Sequence, residues 1–153
     1  MRILVLSDYY PPAYVGGYEV MCKNVVDGLR DRGHDVQVLT ARRAPRSSEP
    51  HVHQVLTACD QFSNPVDQRS LLQRPVTERR DLTLVRSAIA RFQPDLCYLW
   101  NGKGVLRTVI APICRSGPTL LHLEDYWVRD YPALKMDRWH GGWAGIAGSP
   151  AKE

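Results

Sequence analysis

Hydrophobic positions near the start of the chain follow two different periods. Residues 3–6 are apolar without interruption, which is typical of a strand buried on both faces of a parallel sheet. Apolar residues then recur at helical spacing over 19–32, with Gly33 where a helix C-cap is expected, and 35–40 are strand-like again. A strand, a helix and a second strand in this order predict a βαβ unit with a right-handed crossover.

The same alternation continues along the chain. The remaining predicted elements are strands at 51–57, 95–100 and 118–125 and helices at 77–93 and 105–115. Residues 41–50 are rich in Arg, Pro and Ser and predict an exposed loop, whereas 127–153 show no sustained period and predict a largely irregular tail. We therefore predict a single α/β domain over 1–153, with a Rossmann-like, doubly wound and mainly parallel sheet.

The loop after the first strand has a composition that suits a bound phosphate. In open α/β sheets, ligands lie outside the carboxyl ends of the strands, near the point where the strand order reverses. Gly16 and Gly17 sit in such a loop and open a helix, whose first turn offers free N–H groups and the positive end of its dipole. Glycines that merely permit a tight turn are the alternative that the residues leave open.

Several common site classes do not fit this loop. A dinucleotide-binding G-x-G-x-x-G begins directly after its strand, but here eight residues separate Ser7 from Gly16. No Gly-Lys-Ser/Thr follows, so the loop is not a Walker loop either. These absences disfavour both a nicotinamide oxidoreductase and an NTPase.

Composition and charge limit the cellular compartment and the classes of binding partner. The cysteines are scattered and form no C-x-x-C pair, which disfavours a zinc site or a disulfide scaffold and favours reduced thiols in the cytoplasm. The net charge of +4 permits an acidic partner, but no recognition motif points to nucleic acid. Arginines in the loops would suit peripheral contact with the inner face of an anionic membrane, and a merely solvated surface is the favoured alternative.

The histidines and tryptophans have plain structural interpretations. His51 and His53 share one face of the predicted third strand and could ligate a metal ion. The sequence supplies no third ligand beside them, so surface positions are the favoured interpretation. Trp100 could stack on an acceptor sugar, but large aromatic residues more often fill a core or an interface.

Two parts of the chain resemble a known enzyme family. The segments "MRILVLSDYYPPAYVGGYE" and "LRDRGHDVQVLTA", and later "PDLCYLWN" and "PTLLHLEDYW", resemble the nucleotide-sugar-dependent glycosyltransferases of the GT-B fold, specifically the retaining enzymes of family 4. The resemblance is strong over 1–41 and 94–127 and weak over 42–77 and after 129. It implies that the chain is the N-terminal half of a GT-B fold.

The resemblance implies a division of roles between two domains. The N-terminal domain would hold a sugar or lipid-linked acceptor, and a C-terminal domain, absent from this chain, would bind the nucleotide-sugar donor. Gly16 and Gly17 would approach the donor diphosphate, and Glu19 completes the matching G-G-x-E pattern. The candidates on the acceptor or sugar side are Glu19, Asn101, His122 and Trp127. No metal and no cofactor are expected beyond the donor substrate itself.

One position departs from the family pattern. After its fifth strand the family typically has a His-Asp pair, whereas this chain has Glu124 and Asp125, with His122 two positions earlier. By the resemblance, Asp125 is the favoured contact to sugar hydroxyls. Glu124 either replaces the histidine's hydrogen bond or marks altered donor geometry or reduced activity, and a solvated loop acid is the plain alternative.

The motifs and the family resemblance leave two hypotheses for the function. The leading hypothesis is the acceptor-side domain of a retaining glycosyltransferase, which would be inactive without its nucleotide-sugar-binding half. The alternative is a free-standing, non-catalytic binding module of the same fold. Surface left apolar by the missing half also predicts a homodimer or concentration-dependent self-association.

Overall fold

The computed structural model describes residues 1–14, 16–57, 74–100 and 107–123. The predicted order of strands and helices is confirmed within these residues. The elements are β1 (Arg2–Ser7), α1 (Gly17–Asp31), β2 (Asp35–Ala41), β3 (Val52–Leu56), α2 (Arg74–Phe92), β4 (Leu96–Leu99), α3 (Arg107–Arg115) and β5 (Thr119–Leu121). Backbone packing divides the chain into a unit of Met1–His122 and a unit of Leu123–Glu153. The predicted irregular tail at 127–153 lies outside the described residues.

Five strands form one parallel sheet in the order β3-β2-β1-β4-β5. β1 is central, since Ile3 pairs with Val36 of β2 on one side and with Leu96 of β4 on the other. β2 and β3 extend the sheet on one side of β1, and β4 and β5, which come later in the chain, extend it on the other side. The strand order therefore reverses at β1 and β4, as the Rossmann-like, doubly wound prediction requires, and the carboxyl ends of such strands are where open α/β sheets bind ligands.

Side chains of β1 alternate between two hydrophobic layers. Ile3 and Val5 point to the layer formed with α1, while Leu4 and Leu6 point to the layer formed with α2 and α3. Helix residues that complete the two layers are Cys22 and Val26 from α1, Val85 from α2, and Val109 and Ile113 from α3. Both faces of β1 are thus covered, which explains why its sequence is apolar without interruption.

The arginine-rich loop before β3 is tied to the sheet by Gln54. The Gln54 side-chain amide donates to the carbonyls of Arg43 and Pro45, and its Oε1 accepts the Ser47 N–H at 2.8 Å. The prediction of a loop is confirmed, but the interpretation of His51 as a surface residue is wrong. His51 is 6% exposed because the loop folds it inward at the start of β3, whereas His53 is exposed as predicted.

None of the helices in the described ranges could cross a bilayer. The longest, α2, has 19 residues and carries charged side chains along its length. At the edge strand β5, the apolar side chains of Leu120 and Leu121 are exposed to solvent.

Candidate functional site at the carboxyl edge of the sheet

The glycine pair forms an open turn at the start of α1. Gly16 is the N-cap residue with an extended backbone, at φ −155° and ψ −162°, and the helix begins at Gly17. Neither glycine has a positive φ, and a Cβ added at either would meet no atom of the described residues within 4 Å. Backbone strain and crowding therefore do not explain these glycines, which weakens the interpretation that they merely permit a tight turn.

Glu19 holds this turn in place. The Gly16 N–H donates to Glu19 Oε2 at 3.0 Å, and the glutamate is buried at 7% exposure. This is the glutamate half of a capping box, three residues after the N-cap. At least one oxygen of Glu19 is thus used to shape the turn. The Gly17 N–H, at the first position of α1, has no acceptor within the helix, as at the start of any α-helix.

Tyr18, Trp100 and His122 connect three loops at this edge. Trp100 follows β4 and is completely buried, and its ring stacks on the His122 ring at 4.0 Å between centroids and 20° between planes. Tyr18 meets Trp100 edge-on at 5.4 Å, and its hydroxyl donates to the His122 carbonyl at 3.1 Å. The exits of β4 and β5 are therefore joined to the first turn of α1.

The tryptophan has a structural role. Trp100 belongs to the core layer beside α1, and its backbone N–H donates to the Leu6 carbonyl at 2.9 Å, which continues the pairing of β4 with β1. The interpretation of Trp100 as core material is confirmed. Its face is used to position His122, whose own N–H donates to the Leu99 carbonyl at 2.8 Å.

Residues directly after β1 also lie at this edge, although the sequence analysis did not identify them as part of the site. Asp8 is 6% exposed, and its carbonyl accepts the Ala41 N–H and the Thr40 hydroxyl, both at 3.1 Å. The Arg43 guanidinium lies 4.7 Å from the centroid of the Tyr9 ring, which brings a cation to the β1 loop. The one signal that could have found Asp8 is its place as the first acid after the central strand.

The thiol nearest the glycine turn is not a nucleophile. Cys22 lies in α1 and is completely buried. Burial raises the pKa of the Cys22 thiol to about 12, against a smaller lowering by its hydrogen bond with Ser7. The thiol stays protonated at neutral pH, so it does not supply covalent chemistry at this edge.

The structure brings together the described site residues that the sequence predicted. Gly16, Gly17 and Glu19 form the turn, and His122 is joined to the same turn through Tyr18. The other predicted site residues, Asn101, Glu124, Asp125 and Trp127, lie outside the described residues, and their roles stay predictions. Trp100 and His122, which are close to them in sequence, lie at the carboxyl edge as expected.

Comparison with known proteins finds similarity to glycosyltransferases. The family model described as a glycosyl transferase 4-like domain matches residues 16–148, a range that begins at the glycine pair and includes Trp100 and His122. An uncharacterized glycosyltransferase of Methanocaldococcus jannaschii is 42% identical over 40 residues. That alignment covers 26% of this chain and only 10% of the archaeal protein.

Proposed function

The chain belongs to the family of glycosyl transferase 4-like domains, and on that premise we propose that it is the acceptor-side domain of a retaining glycosyltransferase. The reaction would transfer a sugar from a nucleotide-sugar donor to a hydroxyl of a sugar or lipid-linked acceptor. The observation that carries the proposal is the open glycine turn at the start of α1, which no crowding or positive φ among the described residues explains.

The turn suits the chemistry of a departing diphosphate. When the bond between sugar and diphosphate breaks, negative charge develops on the leaving phosphate oxygens. The Gly17 N–H and the positive end of the α1 dipole are fixed before the reaction, so they stabilise that charge without reorganising. The absence of side chains on Gly16 and Gly17 lets the phosphate approach the backbone closely.

The sugar-side residues come shortly after His122 in sequence. Leu123 alone separates His122 from Glu124 and Asp125. His122 is held by Trp100 and by the Tyr18 hydroxyl. We assign Asp125 to a polar contact with sugar hydroxyls and Glu124 to the edge of the site. A second domain would bind the nucleotide, and no metal is needed because N–H groups and basic side chains would stabilise the leaving group.

Amide resonances of the isolated chain provide a direct test of the turn. A nucleoside diphosphate titrated into the ¹⁵N-labelled chain should shift the resonances of Gly16, Gly17 and Tyr18 and leave Gly28 unchanged. Gly28 is a matched reference because it lies in the same helix, about 16 Å further along. Gly17→Ala should weaken the response and Gly28→Ala should not. A titration that leaves the three amides of the turn unmoved would contradict the proposal.

A non-catalytic binding module of the same fold is the second candidate. The Glu124-Asp125 pair, in place of the family's His-Asp pair, favours it. The two candidates differ in one measurement, because both predict diphosphate binding at the turn but only the enzyme transfers sugar once a nucleotide-sugar-binding domain is supplied. Sugar transfer by the completed protein would exclude the module.

A further inference from the structure

A second polar cluster lies between α1 and the turn that precedes β3. Asp27, Glu49 and His51 each present one ligand atom, and these three atoms lie within 4.8 Å of one another. We propose that they form a binding site for a divalent metal ion of the zinc type. The site is separate from the glycine turn, since Asp27 lies about 15 Å further along α1 than Gly17, and it is independent of the proposed sugar transfer.

His51 forms the buried floor of the cluster. Its side chain is 7% exposed, and neither ring nitrogen has a hydrogen-bond partner among the described residues. Nε2 lies 3.2 Å from Glu49 Oε2, but the two atoms are not aligned as a hydrogen bond and Oε2 is likewise without one. A buried polar atom without a partner is costly, and a metal ion shared by these two atoms would remove that cost.

The imidazole of His51 offers a nitrogen donor to the cluster. A neutral imidazole keeps a lone pair on one ring nitrogen for coordination. Neither nitrogen of His51 has a hydrogen-bond partner among the described residues, so that donor is not already used by one of them. Imidazole nitrogen and carboxylate oxygen are both zinc ligands in proteins, and water could complete a tetrahedral set with these three.

The backbone holds two of the three ligands in place without an ion. Glu49 and His51 flank Pro50 in a turn closed by the Val52 N–H donating to the Glu49 carbonyl at 3.1 Å. The His51 carbonyl accepts the Val38 N–H at 2.8 Å, which fixes the turn to β2. The third ligand, Asp27, is 46% exposed at the side chain and leaves the cluster open to solvent on that side.

A lysine ammonium is the competitor that a metal ion must displace. Lys23 Nζ lies 2.7 Å from Glu49 Oε1 and 3.0 Å from Asp27 Oδ2. Burial alone would lower the Lys23 pKa, but these hydrogen bonds raise it, so the lysine stays charged. Lys23 contacts Glu49 through Oε1 and leaves Oε2 facing His51. A metal ion therefore has a donor of Glu49 that the lysine does not occupy.

Zinc titration of the full chain tests the site, with His53 as the matched control. His53 lies two residues from His51 on the same strand, is exposed, and contacts Gln37 Oε1 at 2.7 Å. We expect Zn²⁺ alone to bind wild type and His53→Gln equally, and His51→Gln at least about tenfold more weakly. The readouts are calorimetry and the imidazole ¹⁵N resonances. Equal zinc affinity in both histidine variants would overturn the site.

Two further variants test the ligand set if His51→Gln fails to fold. Asp27→Asn is on the exposed side of the cluster and should fold and lose zinc affinity. Lys23→Gln removes the competing charge and should tighten binding by roughly thirtyfold, the effect of one unit charge on a divalent ion at about 4 Å in water-like surroundings. Unchanged affinity in Asp27→Asn, or an unchanged or weaker affinity in Lys23→Gln, would contradict the proposed coordination.

Discussion

Tyr18 and His122 are joined by a hydrogen bond across 104 residues of sequence, from the Tyr18 hydroxyl to the His122 carbonyl at 3.1 Å. Their rings also meet edge-on at 5.8 Å between centroids. The contact links the first turn of α1 to the exit of β5. The first is the proposed diphosphate site, and the second precedes the residues proposed to contact the sugar. Its geometry can be tested by removing a single oxygen atom.

Tyr18→Phe should destabilise the chain by about 1 kcal/mol, because it removes one hydrogen bond and keeps the edge-on ring contact. The measurement is the free energy of unfolding from urea denaturation. Tyr14→Phe is the matched control, since Tyr14 is 55% exposed and its hydroxyl should contribute little. If the two variants have the same free energy of unfolding, the Tyr18 hydrogen bond to His122 does not contribute measurably to stability.

Residues 1–153 alone should show no measurable sugar transfer, because the main nucleotide-sugar contacts are assigned to a second domain. The purified chain would be incubated with a panel of nucleotide sugars and assayed for release of nucleoside diphosphate. Robust turnover by the isolated chain would refute its assignment as half of an enzyme.

In the protein completed with a nucleotide-sugar-binding domain, Asp125→Ala should lower turnover more than Glu124→Ala. The reason is that Asp125 is assigned to the sugar hydroxyls and Glu124 to the edge of the site. Steady-state rates of both variants give the comparison. A larger loss in Glu124→Ala would show that the glutamate has taken the role of the family's histidine and would reverse the assignment.

Stability should fall as the pH is lowered below about 6.5, the ordinary pKa of histidine. Burial lowers the pKa of His51 in the folded chain, so the unfolded chain takes up its proton first. The contribution of neutral His51 is fully present above the unfolded pKa and is lost as the pH falls toward the lower folded pKa, with a slope of at most about 1.4 kcal/mol per pH unit.

Urea denaturation at several pH values, with a chelator present, measures this slope. His51→Gln should remove the His51 component of the slope, while His53→Gln, at an exposed position, should retain it. An equal slope in His51→Gln and wild type would show that the buried histidine is not the group responsible.

The strands and helices could be predicted from local sequence patterns, whereas the side-chain contacts within the candidate sites could not. The apolar run at 3–6 predicted a strand covered on both faces, and two core layers do cover β1. Stacking of His122 on Trp100 depends on which side chains meet at the edge of the sheet, and no local period encodes that contact. The burial of His51 was missed for the same reason, because its neighbour Asp27 comes from a helix that is distant in sequence.

The glycine pair opens α1, as the sequence predicts, and its proposed contact with the diphosphate can be tested by substitution. Gly17→Val would place a branched side chain in open space at the turn, where phosphate oxygens are proposed to approach the Gly17 N–H. In the completed enzyme we expect turnover to fall by roughly 10²–10³, the usual cost of losing one preorganised donor to developing charge. The measurement is kcat with saturating donor.

The same variant should fold almost normally, and this separates a functional role from a structural one. Gly17 has no positive φ, and an added Cβ meets no described atom within 4 Å, so the melting temperature should fall only slightly. Gly28→Ala, in the middle of the same helix, is the control and should leave turnover unchanged. Near-normal turnover in Gly17→Val, or a loss of turnover explained entirely by unfolding, would contradict diphosphate binding at the turn. The N–H groups of the turn would then have no part in the reaction, and the glycines would serve only to form a turn.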